Sequence, residues 1–168
     1  MSISRSIFTL AVLVSLLAAG AIGAARAATL PTPLAALVGN WSCTYTGPKG
    51  SATSTYEIVK SNDLWISGTG DNGAYGKNPP SKTVFVWGYD TKKHLYLSMG
   101  GDTNPGDYGT STATGPANAT TLTFTNAWPA DPTAEKDLWH FGNGKITVSS
   151  TWTEKGKTMT SKSVCSKT

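Results

Sequence analysis

Apolar and polar residues alternate through most of the chain after position 40, and short clusters of Gly, Pro, Asn and Asp interrupt the alternation. A period of two residues places successive side chains on opposite faces of a β-strand, whereas an amphipathic helix needs a period of about 3.6. The pattern therefore predicts ten short strands. They are placed at residues 41–46, 54–60, 64–68, 83–89, 94–99, 109–114, 121–126, 138–141, 145–153 and 158–165.

The connections between the predicted strands are mostly short and rich in turn residues. Segments such as 61–63 and 142–144 suit tight turns, so consecutive strands should pair antiparallel in a meander. The longer polar segments 68–81 and 100–119 are expected to be surface loops, either of which could border an opening. The Ala and Leu residues of segment 34–38 predict one short helical turn before the first strand.

The alternation also predicts which side chains share the interior. One face of each strand carries the larger apolar residues, and these faces should meet in a core. In segment 84–87 both faces are apolar, which indicates a strand that is covered on both sides or that borders a cavity. The predicted interior residues are Trp41, Cys43, Tyr45, Leu122, Phe124, Ile146, Val148 and Trp152.

Residues 1–27 have the three parts of a secretory signal peptide. Arg5 lies in a short polar start, an uncharged apolar run covers residues 7–22, and Ala25-Arg26-Ala27 fits signal peptidase. The apolar run is shorter than the roughly 18–20 residues that span a bilayer. We therefore predict cleavage after Ala27 and a secreted or periplasmic domain at residues 28–168, without a membrane span.

The positive charge of the chain does not indicate a nucleic-acid partner. Arg5 and Arg26 are the two arginines and both lie in the predicted signal, which leaves twelve lysines against ten acidic residues. These lysines are scattered along the chain, whereas a nucleic-acid-binding protein clusters its basic residues on one face. We expect neither nucleic-acid binding nor bidentate recognition of phosphate by arginine.

Two cysteines, Cys43 and Cys165, lie in the first and last predicted strands. In an exported chain they predict one disulfide, with two separate thiols as the alternative. A disulfide needs Cα atoms within about 7 Å, so the first and last strands would be neighbours. Added to a meander, this contact closes the sheet and removes its edges. The fold class is therefore all-β, an antiparallel up-and-down barrel of about 8–10 strands, in preference to a sandwich.

The start and the end of the predicted domain resemble a known group of proteins. Gly39-Asn40-Trp41 resembles the G-x-W signature that opens the first strand of lipocalins and related calycin barrels. Segments 37–43 and 163–167 together resemble small exported bacterial lipocalin-like proteins of unassigned function. The T-D-Y triplet and the C-terminal helix of lipocalins proper are not evident. The resemblance implies an antiparallel barrel with a tryptophan plugging one end.

The aromatic content points to a binding role. Six Trp and six Tyr can build walls that suit flat apolar ligands, although aromatic residues also fill barrel cores and core packing is the alternative for each of them. The leading hypothesis is a monomeric, non-enzymatic binding protein that holds a small, largely apolar molecule in the barrel. The candidate ligand-lining residues are Trp41, Tyr45, Trp65, Phe85, Trp87, Trp139 and His140.

Catalytic and metal-binding patterns are weak in this sequence. His94 and His140 are the two histidines, no G-x-S-x-G elbow marks a nucleophile, and no H-E-x-x-H spacing marks zinc. We predict no catalytic residues, no metal and no cofactor. Nitrobindins, barrels with a similar opening, hold haem through one histidine at a place comparable to His140, so haem binding is an alternative. A small enzyme built in the barrel mouth and a structural or interaction module are the others.

Segment 102–107 places oxygen-bearing side chains at alternate positions, as a calcium-binding loop does. An EF-hand loop needs a bidentate Glu at its twelfth position, where this sequence has Ala113, and it needs flanking helices. Neither requirement is met. We therefore expect the segment, including Asp102, to be a solvated turn.

Overall fold

The alternating segments form ten antiparallel strands, as predicted. The computed structural model describes residues 29–104, 108–130 and 133–168, and this part of the chain contains one short helix ahead of the strands. The elements are α1 (Thr32–Leu37), β1 (Gly39–Gly47), β2 (Gly50–Lys60), β3 (Trp65–Asn72), β4 (Ser81–Asp90), β5 (Leu95–Asp102), β6 (Tyr108–Thr114), β7 (Thr121–Trp128), β8 (Lys136–Gly142), β9 (Lys145–Glu154) and β10 (Lys157–Lys167).

The strands close into an up-and-down barrel in which each strand pairs with its neighbours in sequence. Strand β1 also pairs antiparallel with β10, and this contact completes the ring. Cys43 lies directly opposite Cys165 in that pair, and the two sulfur atoms are bonded. The predicted disulfide and the predicted barrel closure are both confirmed. Closure pairs the strands that an open sheet would leave as edges.

Helix α1 and Trp41 close one end of the barrel. Leu34 and Leu37 of the helix are buried, with 0% and 5% of their surface exposed. The Trp41 indole donates a 2.6 Å hydrogen bond from Nε1 to the Leu37 carbonyl, which joins the helix to the base of β1. This bond gives the indole nitrogen the partner that a buried donor requires. The predicted helical turn is therefore confirmed, and it lies at the closed end.

The predicted interior faces agree with the structure, but most strands run further than predicted, and β3 and β5 extend well into segments that were predicted to be loops. Gly68 and Gly70 lie inside β3, whereas the predicted loop began at Gly68. A Cβ at Gly68 would overlap the Phe85 ring, and one at Gly70 would overlap the Tyr56 ring. These glycines mark close aromatic contacts and not a turn. Strand β5 likewise continues to Asp102, inside the second predicted loop.

The disulfide indicates a non-reducing, extracytoplasmic environment. The predicted signal peptide, residues 1–27, lies outside the described residues, so its cleavage and the domain boundary at position 28 remain predictions. No helix in the described part of the chain is both long enough and apolar enough to cross a bilayer.

Candidate functional site

The barrel interior contains a cavity of about 580 Å³ that opens at the end opposite α1. Its volume falls within the range of about 300–1,000 Å³ that is typical of small-molecule sites. The lining side chains come from α1, from β1 to β5 with the loop after β3, and from β8 to β10. Small inward residues on one side of the barrel, Ala52, Ser54 and Ser163, leave this space open.

Five of the seven predicted ligand-lining residues border this cavity. They are Trp41, Tyr45, Phe85, Trp87 and Trp139. Both disulfide cysteines border it as well. Phe85 and Trp87 face the cavity, whereas Val84 points outward and is 62% exposed. Of the two predicted alternatives for the apolar segment 84–87, the structure therefore shows a strand that borders a cavity.

Trp65 and His140 do not line the cavity. Trp65 lies on the outer wall, where its ring packs over Gly88 of the neighbouring strand; a Cβ at Gly88 would overlap that ring. His140 alternates with the inward-facing Trp139 on β8 and is therefore exposed on the outside. Its Nδ1 lies 3.0 Å from the hydroxyl oxygen of Thr121 on β7.

Neither histidine can ligate a haem inside the cavity. His140 is on the outer wall, and His94 is an exposed residue after β4 whose Nδ1 lies 2.9 Å from the Tyr89 hydroxyl. Neither is among the cavity-lining residues. The described residues also contain no group of three or more His, Cys, Asp or Glu side chains that could hold a metal ion. The donor set at the cavity does not fit a histidine-ligated haem.

Aromatic rings pack across the barrel between the cavity and strand β7. Trp87 on β4 reaches Phe124 on β7 and Trp139 on β8, with 4.8 Å between ring centroids in each pair. Trp139 also stacks on Phe141, at 6.0 Å. The edge-to-face contact of Trp87 with Trp139 and the stacking of Trp139 on Phe141 are arrangements that aromatic pairs favour. The resulting wall separates the cavity from the strands on the opposite side of the barrel.

The deep part of the cavity is apolar. Trp41 and Ile58 have 2% and 5% of their surface exposed, and Ile146 and Val148 on β9 are buried beside them. Leu37 adds an aliphatic side chain from the end of α1. A ligand that covers apolar surface of this kind displaces water from it. This burial favours binding by roughly 25 cal/mol per Å² of apolar surface removed from water.

The glycines of β3 shape the wall near the opening. Because Gly68 and Gly70 have no side chains, the rings of Phe85 and Tyr56 lie close to the β3 backbone. The two rings meet edge to face at 6.2 Å. Both rings therefore lie flat against the barrel wall and do not fill the cavity.

A chain of hydrogen bonds surrounds part of the open end. The Tyr56 hydroxyl donates to Asn72 Oδ1 at 2.9 Å, and Asn72 Nδ2 donates to the Ser81 hydroxyl at 3.3 Å. Ser81 in turn donates to Asp102 Oδ2 at 3.1 Å. The other carboxylate oxygen accepts the backbone N–H of Asn104 at 2.6 Å. We call Tyr56, Asn72, Ser81 and Asp102 the mouth relay.

Tyrosines provide further polar groups at the opening. Tyr45 and Tyr75 meet edge to face at 4.8 Å, and the Tyr75 hydroxyl accepts the backbone N–H of Lys49 at 2.9 Å. Burial raises the pKa of Tyr45. Burial also raises the pKa of Tyr56, and the negative charge of Asp102 adds to the rise. Both phenols therefore stay neutral near pH 7 and keep their hydroxyl protons.

The mouth relay was not predicted from the sequence, and the prediction for Asp102 was wrong. Asp102 is partly buried at the end of β5 and lines the cavity, whereas a solvated turn was expected. Its position continues the inward phase of Tyr96, Ser98 and Gly100 along the strand. The alternation along the strand could have placed Asp102 on the inner face. The glycines at positions 100 and 101, however, led the predicted strand to end at residue 99.

A second apolar surface lies on the outer wall of the barrel. Tyr108 and Trp128 are 57% and 58% exposed, and their rings lie 5.6 Å apart. Val59, Val84 and Met99 extend this surface across the neighbouring strands, with 40–62% of each residue exposed. We call these five residues the outer patch. Exposed apolar patches of this kind occur at protein or ligand contacts.

Asp137 is an interior carboxylate away from the cavity lining. It faces inward on β8, and its Oδ1 atom is buried with no hydrogen-bond partner among the described residues. Burial raises the pKa of Asp137, while a hydrogen bond with Ser150 opposes the rise. A carboxyl group with a raised pKa in the folded state is destabilising when ionised, because the unfolded state holds the charge at lower free energy.

Replacing Asp137 by Asn should therefore stabilise the protein at neutral pH, on the order of 1 kcal/mol, by removing a buried and incompletely paired charge. The gain should shrink as the pH falls through the raised pKa of Asp137, because the wild-type carboxyl then takes up a proton and becomes neutral. Urea unfolding between pH 3.5 and 8 measures the difference.

The control is Asp71→Asn, which removes an exposed carboxylate paired with Lys82 on the outer surface. This variant should show little stabilisation at any pH. A wild-type protein more stable than Asp137→Asn at pH 7 would contradict the burial argument.

Comparisons with known proteins show similarity at the level of the fold. No family model matches the chain, and no curated protein matches it significantly. Among solved structures, Rv2717c from M. tuberculosis superimposes with a TM-score of 0.59 at 12% identity, covering 83% of this chain and 99% of that one. The present protein shares the barrel fold of Rv2717c.

Two further barrels show weaker similarity. EF1p2_mFAP2b bound to DFHBI has a TM-score of 0.49 at 6% identity, covering 83% of this chain and 100% of that one. A de novo designed fluorescence-activating β-barrel has a TM-score of 0.46 at 7% identity, covering 81% of this chain and 98% of that one.

Proposed function

We propose that this protein is a non-enzymatic binding protein that holds a small, largely apolar molecule inside its barrel. The observation that carries the proposal is the 580 Å³ cavity, which is apolar at its closed end and polar at its mouth. The lining residues that the structure describes include one carboxylate and no histidine, which favours binding over acid–base catalysis. The Gly39-Asn40-Trp41 opening, which resembles that of lipocalins and related calycin barrels, agrees with the same role.

The cavity suggests how such a ligand would bind. Its apolar body would lie against Trp41, Ile58 and Val148, where burial supplies most of the binding free energy. One polar group would remain at the mouth, within reach of the tyrosine hydroxyls and the mouth relay. Preformed walls limit the conformational entropy lost on binding.

N-phenylnaphthylamine, a neutral aromatic dye whose fluorescence rises in apolar surroundings, tests the proposal. We expect saturable binding of one dye molecule per chain, together with quenching of tryptophan fluorescence, because Trp41, Trp87 and Trp139 border the cavity. Bound dye should also raise the melting temperature, since a ligand that binds only the folded state stabilises it.

The outer patch is the competing dye site, and Val84→Lys is the matched control. Val84 is 62% exposed on the outer wall, so this change should leave dye binding and quenching unchanged. The proposed interior site would be contradicted if the wild type showed no saturable dye binding. It would also be contradicted if the wild type bound the dye and Val84→Lys did not.

The second candidate function is an interaction module, and the outer patch is the observation in its favour. The five exposed apolar residues of the outer patch lie together on one wall, whereas exposed apolar side chains on a monomer surface are usually scattered singly. This candidate does not explain why the interior is open, whereas the binding proposal does. Binding therefore remains the leading proposal.

A further inference from the structure

The charge distribution of the cavity indicates which ligands it would prefer. Asp102 is the single charged side chain among the described lining residues. Neither of the ion pairs seen among the described residues, Lys60 with Asp63 and Lys82 with Asp71, involves this carboxylate. Lys49, on the rim, extends along Gly76 outside the lining. The mouth thus carries a negative charge that the protein leaves without a cationic partner.

The hydrogen bonds of the mouth relay all run towards Asp102, and this arrangement strengthens the preference for a positively charged ligand group. Tyr56, Asn72 and Ser81 each donate a hydrogen bond to the next group, and the series ends on the Asp102 carboxylate. Hydroxyl groups that have already donated their proton offer a ligand mainly lone pairs. The Tyr56 and Ser81 hydroxyls and the Asp102 carboxylate therefore present acceptors at the mouth, and these match a ligand group that donates hydrogen bonds or carries positive charge.

Aromatic rings around the opening favour the same chemistry. Tyr45, Tyr56 and Tyr75 all line the cavity at this end, and Tyr45 meets Tyr75 edge to face. The face of an aromatic ring attracts cations, and clusters of such rings bind organic ammonium groups. An anionic head group would meet both these ring faces and the Asp102 charge, and both would oppose it.

We propose that the preferred ligand is an organic cation with an apolar body, an alkyl or aryl ammonium compound. The apolar body occupies the closed end of the cavity, and the ammonium group lies at the mouth beside Asp102 and the tyrosine rings. This inference rests on the proposed function, because it assigns the ligand class of the same cavity.

Three probes with the same ten-carbon chain and different head groups test the charge preference. Decylammonium, decanol and decanoate are each titrated, below the concentrations at which they form micelles, against wild-type protein carrying N-phenylnaphthylamine. At pH 7 we expect decylammonium to displace the dye at a concentration at least about tenfold lower than decanoate, with decanol between them.

Asp102→Asn should reduce the difference between decylammonium and decanoate to about twofold, and it should change displacement by decanol less than displacement by either charged probe. Asp71→Asn removes the same charge from the outer surface near the same end of the barrel, and it should retain the wild-type preference. The comparison of these two variants separates a contact at the mouth from the general effect of net charge. Thermal melts of both variants verify that they are folded.

The outcomes separate this inference from the proposed function. Equal displacement by the three probes, or strongest displacement by decanoate, would overturn the ammonium preference while leaving cavity binding intact. The same preference in Asp102→Asn as in wild type would overturn the role of Asp102. If the dye itself does not bind saturably, the proposed function fails.

Discussion

Replacing Cys43 and Cys165 together by serine is expected to lower the free energy of unfolding by about 5 kcal/mol under oxidising conditions. The bond joins residues separated by 122 positions, and closing so long a loop removes much of the conformational entropy of the unfolded chain. For a domain of this size the loss corresponds to a fall in melting temperature of roughly 10–20 °C. Thermal unfolding with and without a reducing agent measures it.

The control for this variant is the pair Ser42→Ala and Ser166→Ala, which lie opposite each other on the same two strands and face outward. Together these two substitutions should change the free energy of unfolding little. Under reducing conditions the wild type and the serine variant should melt together. If the serine variant has the wild-type melting temperature under oxidising conditions, the disulfide does not stabilise the closed barrel as argued.

Ser163→Trp is expected to weaken dye binding at least about tenfold, which corresponds to about 1.4 kcal/mol. Ser163 faces into the cavity from β10, between Tyr45 on β1 and Val148 on β9, so an indole ring there would occupy ligand space. Because that space is open, the larger side chain should change stability little. In a filled core the same substitution would destabilise by about 1–3 kcal/mol.

The matched control is Ser149→Trp, the same substitution on the neighbouring strand with the side chain facing outward. It should bind the dye as the wild type does. Equal binding by both variants would place the dye outside the cavity. Severe destabilisation by Ser163→Trp alone would mean that the interior is packed.

The barrel could be predicted from the sequence because its determinants are local or covalent. Alternation along each strand sets which side faces inward, and short turns make neighbours in sequence neighbours in the sheet. The contact between β1 and β10 is remote in sequence, and only the two cysteines indicated it. The Gly68 and Gly70 positions misled the loop prediction, because nothing nearby in sequence shows that distant rings occupy the space of their missing side chains.

The candidate site was only partly predictable for the same physical reason. Inward-facing aromatic residues such as Trp41 and Trp87 could be selected by strand phase, but Trp65 is the same residue type and lies on the outer wall. The mouth relay joins groups on β2, β3, β4 and β5, so it depends on the register between strands. Whether the aromatic rings fill the barrel or border an opening depends on how the side chains divide the interior, which is a property of the whole ring of strands.

A crystal structure of the protein soaked with N-phenylnaphthylamine tests the central claim most directly. The proposed function predicts electron density for the dye inside the barrel, in contact with Trp41, Phe85 and Trp87. Density for the dye on the outer patch against Tyr108 and Trp128, with the interior occupied by side chains, would contradict it.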